Sequence, residues 1–115
     1  MYYIRHLYRL LKNSNVMQNV HFDSLRVMVT GYIKTIDKND PESHSTAWFL
    51  LKYLKRIQKK TEPPASTGQV EGTMRSMVRF YVDNIDEKSE LGDICIKIYN
   101  EYRKVLREHQ SKNSN

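Results

Sequence analysis

The chain of 115 residues has a single cysteine, Cys95, so no disulfide can form within it and no zinc site can be built on cysteines. Prolines number 3 and glycines 4, too few for a collagenous or low-complexity chain. The longest unbroken apolar run is Ala47 to Leu51, far short of the roughly 20 residues that span a membrane. The N-terminal MYYIRHLYRLLK mixes apolar and basic residues and lacks a small-residue cleavage site, so it does not read as a secretory signal. A reducing, intracellular setting is the expectation. Strand-like alternation and internal repeats are also missing.

Catalytic signatures are equally scarce. His6, His21, His44 and His109 do not recur at a metal-ligand spacing such as H-E-x-x-H. Gly68-Gln69-Val70-Glu71-Gly72 lacks the Gly-Lys-Ser/Thr ending of a phosphate loop. Cys95 lies on an apolar helical stripe beside Ile94 and Ile98 and has no evident base to activate it. No catalytic residue, metal or cofactor is expected, and the chain reads as a binding module rather than an enzyme.

What is present is helical periodicity and a mosaic of charge. The formal net charge is +6, with 19 Lys and Arg against 13 Asp and Glu. Residues 1–20 hold Arg5, Arg9 and Lys12 without an acid, and residues 52–60 hold Lys52, Lys55, Arg56, Lys59 and Lys60 without an acid. Asp37, Asp40 and Glu42 form one acidic cluster. Asp83, Asp86, Glu87, Glu90 and Asp93 form another.

About five helices are predicted, in one domain over residues 1–110 with a flexible tail at 111–115. The first carries Ile4, Leu7 and Leu11. The second opens at Phe22-Asp23-Ser24, with Asp23 as cap and Phe22 stapled on Val27. Its stripe is Leu25, Met28 or Val29, Tyr32 and Ile36, and Gly31 suggests a close helix contact. Asp40-Pro41-Glu42 predicts the start of the third, with Asp40 as cap and Pro41 at the first helical position. That helix runs to about Lys60 over Ala47, Leu50 or Leu51, Leu54 and Ile57. A loop is predicted from Thr61 to Gly72. The fourth helix takes Val70 or Met74, Met77, Val78 and Tyr81; the fifth takes Leu91, Ile94, Ile98, Tyr102 and Val105. The fold class is all-α, a compact bundle. Short turns favour antiparallel neighbours, which puts both acidic turns at one end.

Two surfaces follow. The basic run Lys52, Lys55, Arg56 and Lys59 suits a weak nucleic-acid contact, with Tyr53 the one aromatic among them. At the acidic end, Ile36 and Phe80 beside the carboxylates suit a short peptide with an apolar anchor and basic flanks. No membrane contact is expected.

The order FLLKYLKRI (Phe49 to Ile57), Thr67-Gly68, then Glu71-Gly72-Thr73-Met74-Arg75-Ser76-Met77, then DICIKIYNEYRKVL (Asp93 to Leu106) resembles the TFIIS N-terminal domain family. The layout over residues 6–106 is similar to its branches in the Spt-six-interacting elongation factor and the LEDGF integrase-binding domain. The chain departs from the pattern at Tyr102, where the family commonly has tryptophan, by one inserted residue before Gly72, and in a longer acidic turn. The resemblance implies a five-helix scaffold of transcription elongation and chromatin in the nucleus, binding short motifs in disordered tails. It places partner contacts at Ile36 and Asp37 in the first turn and at Phe80, Tyr81 and Val82 before the second. Asp83 and Asp86 would orient basic ligand residues. Leu7-Tyr8-Arg9 followed by Leu-Leu-Lys also resembles the LYR-motif family, which implies a mitochondrial accessory or assembly protein binding acyl-carrier protein.

Overall fold

The computed structural model describes residues 20–113, with side chains through residue 110. Four helices make up this part: α1 (Asp23–Lys38), α2 (Thr46–Lys60), α3 (Thr67–Asn84) and α4 (Glu90–Asn113). The architecture is all-helical, with no strand among the described residues. The helix expected over Ile4, Leu7 and Leu11, and with it Leu7-Tyr8-Arg9, lies outside the described residues. α4 continues through residues 111–113, into the segment expected as a tail.

Each helix buries one stripe, as the 3.6-residue period requires. Leu25, Val29, Ile33 and Ile36 are buried on α1, and Leu50, Leu51, Leu54 and Ile57 on α2. Val70, Met74 and Met77 on α3 meet Ile94, Ile98, Tyr102 and Val105 on α4 in the same core. Tyr32, expected on the α1 stripe, is only half-buried; Ile33 takes its place.

Side-chain contacts fix the directions. Arg26 Nη1 donates to the Thr61 carbonyl at 2.9 Å and Gln58 Nε2 donates to Thr30 Oγ1 at 2.9 Å, so α1 and α2 run antiparallel. Ser24 Oγ donates to Glu101 Oε2 at 2.9 Å and Phe22 stacks on Tyr102 at 6.4 Å, tying the start of α1 to the later half of α4. Phe80 near the end of α3 meets Phe49 and Tyr53 in the first half of α2.

The helix starts differ from the sequence expectation in three places. Asp23 does not cap α1. Phe22 holds the cap position with no side-chain bond, and Asp23 instead pairs with Arg26 at 2.8 Å. Phe22 also does not staple on Val27, which is 70% exposed; its ring turns inward to Tyr102 because that contact removes more apolar surface from water. Asp40-Pro41-Glu42 does not start α2. Asp40 sits at φ 48°, its amide donating to the Asp37 carbonyl, and so ends the turn after α1. Ser45 starts the helix, its hydroxyl accepting from the Trp48 amide at 3.2 Å. The predicted loop shortens in the same way: Ser66 accepts from the Gln69 amide, so Gly68 and Gly72 lie inside α3.

Gly31 is not a close-contact position. A Cβ built there meets nothing within 4 Å, and the residue is exposed. Gly31→Ala is expected to stabilise the protein by up to about 1 kcal/mol, because alanine loses less backbone entropy in a helix. Urea denaturation reads the gain; a loss of stability would contradict the open space seen around this residue.

Candidate interaction surfaces

Both acidic turns lie at one end of the bundle. Ile36, Asn39 and Pro41 from the first turn region share a hollow with Glu90, Leu91 and Ile94 from the start of α4. The second turn is held by its own polar groups. Asp86 Oδ1 accepts from the Lys88 amide at 3.0 Å, and the Asp86 carbonyl accepts from the Ser89 amide at 3.0 Å. Ser89 Oγ then accepts from the Gly92 amide at 3.1 Å, capping α4.

The seven expected contact residues do not form one pocket. Ile36 is only 4% exposed and forms the floor of its hollow, so it supports the core more than it offers an anchor surface. Asp37 stays exposed with Lys55 Nζ at 3.9 Å. Phe80 shares a hollow with Asp83 and packs on Tyr53 at 5.0 Å between ring centroids and on Phe49 at 6.2 Å. Tyr81 is half-buried against the core. Asp86 is exposed at the turn. Val82 and Asp83 line a groove of about 580 Å³ between α3 and α4.

That groove was not legible in the sequence. Its apolar lining comes from Met74, Val78 and Val82 on α3 and from Tyr99, Tyr102 and Leu106 on α4. Val82 is 70% exposed, a large apolar side chain left open to water at the rim. Arg75, Arg79 and Arg103 stand on its walls with Glu71 and Asp83. Arg75 is already bound to Glu71 at 3.1 Å. Burial raises the Tyr102 phenol pKa above its ordinary value, and the Glu71 carboxylate adds to the rise. A second apolar row on α4, Cys95, Tyr99, Tyr102 and Leu106 at helical spacing, is the one sequence signal that could have pointed there.

The basic run of α2 projects outward: Lys52, Lys55, Arg56 and Lys59 are all exposed. Tyr53 is not its only aromatic neighbour. Trp48 and Phe49 meet edge to face at 4.9 Å, Phe80 joins from α3, and Lys52 Nζ sits 3.8 Å from the centre of the Trp48 ring.

Among the described residues, no group of three or more His, Cys, Asp or Glu is placed to hold a metal ion. No helix there is long and apolar enough to cross a membrane. Cys95 is buried, and burial pushes its thiol up to about 11 from an ordinary 9.0. The unfolded thiol ionises first, so the stability it contributes is intact below pH 9.0 and is lost as pH rises through about 11. Over that window the wild type is expected to lose more stability than Cys95→Ala in urea titrations. Parallel losses would place the thiol in contact with water.

The fold and surfaces define a small all-α bundle with an open interhelical groove and a basic, ring-bearing face. Compared with protein-family models, with characterised proteins and with solved structures, the chain matches none.

Proposed function

We propose that this chain is a non-enzymatic interaction module that takes a short motif from a disordered partner into the groove between α3 and α4. The observation that carries the reading is the groove itself: an apolar lining, an exposed Val82 at its mouth and Asp83 beside it. Apolar anchors supply most of the affinity at such sites, while rim charges set encounter rate and orientation. Asp83 and Asp86 would steer basic residues flanking the anchor, and exposed charges of this kind are screened over about 8–10 Å, so binding is salt-sensitive. Helix order and the resemblance to the TFIIS N-terminal domain family support a nuclear scaffold in transcription elongation or chromatin. The LYR-motif reading rests on Tyr8 and Arg9, outside the described residues, and no observation favours it.

The test is affinity purification of the tagged chain from its native cells, followed by titration of peptides from the recovered proteins. Elongation or chromatin factors are expected. Val82→Asp should weaken peptide binding at least tenfold, while Val27→Asp, equally exposed on α1, should leave it unchanged. Equal binding by both variants removes the groove from the reading. Recovery of acyl-carrier protein replaces the whole proposal with the mitochondrial one.

A further inference from the structure

The face formed by α2 and α3 adjoins the groove and shares Arg75 and Arg79 with it. Its cations stand in two rows. Lys52, Arg56 and Lys59 follow one another at i, i+4 and i+7 along α2, and Arg75 and Arg79 at i and i+4 along α3, all exposed. Four residues of helix advance about 6 Å, so each row presents positive charge at regular steps. Arg56, Lys59 and Arg79 have no acidic partner among the described residues, and Arg75 alone of these cations is paired, to Glu71.

Aromatic rings lie between the rows. Tyr53 and Phe80 face each other across the helices at 5.0 Å and 33°, and Arg56 sits 5.7 Å from the centre of the Tyr53 ring. Tyr53, Arg56, Arg79 and Phe80 share one hollow of about 420 Å³, which Asp83 and Asn84 also line. Trp48 extends the ring surface along α2 under Lys52.

We infer that this face binds single-stranded nucleic acid, with the two cation rows on the phosphates and Tyr53 and Trp48 stacking on bases. A polyanion explains the cations; the flat rings set among them select a polyanion that carries stackable, unpaired bases. An acidic peptide would use the cations and leave the rings idle. A membrane surface would want protruding apolar side chains, and the exposed large ones, Val27, Val82 and Ile96, lie off this hollow. The surface shares Arg75, Arg79 and Asp83 with the motif groove, but Tyr53 and Arg56 on α2 do not line that groove, so variants on α2 test this reading apart from the other.

Fluorescence anisotropy with a labelled oligothymidylate of about 12 nucleotides tests it on the full chain. Binding is expected in the roughly micromolar to 100 micromolar range, falling with salt at a log–log slope of about −3 for four neutralised phosphates. Lys52→Glu with Arg56→Glu should weaken binding at least tenfold, Tyr53→Leu at least fivefold, and Lys34→Glu, exposed on α1, less than twofold. If Tyr53→Leu lowers the melting temperature, Trp48→Leu carries the stacking test in its place. Three results overturn the inference: no binding at low salt, a response to the charge reversals but none to the ring variants, or tighter binding to phosphatidylserine vesicles than to the oligonucleotide. The ring-insensitive case would mean a bare cationic patch that accepts any polyanion.

Discussion

Gly92→Ala is expected to lower the melting temperature by about 10 °C or more, the response of a small domain to a loss of roughly 2–4 kcal/mol. The cause is space, not backbone freedom, since no glycine of the described chain has a positive φ. Gly92 is buried at the first turn of α4, and a Cβ there would run into the backbone carbonyl of Asp86 and press on that of Glu87. Neither atom can swing aside as a side chain would. The Asp86 carbonyl is held in place by the Ser89 amide and hydroxyl, so α4 would have to lift off the acidic turn. Differential scanning calorimetry beside Gly31→Ala gives a direct contrast, because the same substitution should act with opposite sign at the two sites. A neutral Gly92→Ala would show that the acidic turn yields to α4, and the close approach would not be structural.

Phe22→Ala should cost about 3–5 kcal/mol, near the upper end for a single core truncation. The ring is 1% exposed and stacks on Tyr102, so it joins the approach to α1 with α4. No side chain caps α1, which leaves this packing, the Arg26 contacts and the Ser24–Glu101 hydrogen bond to hold the helix start. Phe22→Leu keeps most of the buried area and should cost only about 1–1.5 kcal/mol. Chemical denaturation of both variants checks the pair. Similar small losses would mean that the ring is dispensable and that α1 is held by its other contacts.

The helical stripes were readable because burial imprints a period on the residues themselves. Ile94, Ile98, Tyr102 and Val105 announce α4, and Leu50, Leu54 and Ile57 announce α2. Helix starts were less readable, since two polar residues near one another compete for the cap. Asp40 and Ser45 both qualify by type, and only the turn geometry decides between them. Phe22 was misread because a staple is a local contact, while the partner that won, Tyr102, is distant in sequence. The shared acidic end followed from short connections. The groove did not, because its lining joins the flanks of two stripes, Val78 and Val82 with Tyr99 and Leu106. Whether flanks close or gape depends on how far apart the helix axes settle, and no single-helix pattern records that. Phe80 likewise showed its apolar character but not its packing on Tyr53 across the helices.

Cys95 is the chain's only thiol, and it is buried on the helix that forms one wall of the groove. A thiol reagent can reach it only when α4 breathes away from its neighbours. Its modification rate is therefore a clock for that local opening, read from one chemical group without labels or added mutations. A peptide seated between α3 and α4 should slow the clock, while an oligonucleotide held across α2 and α3, where no α4 residue lines the hollow, should slow it less.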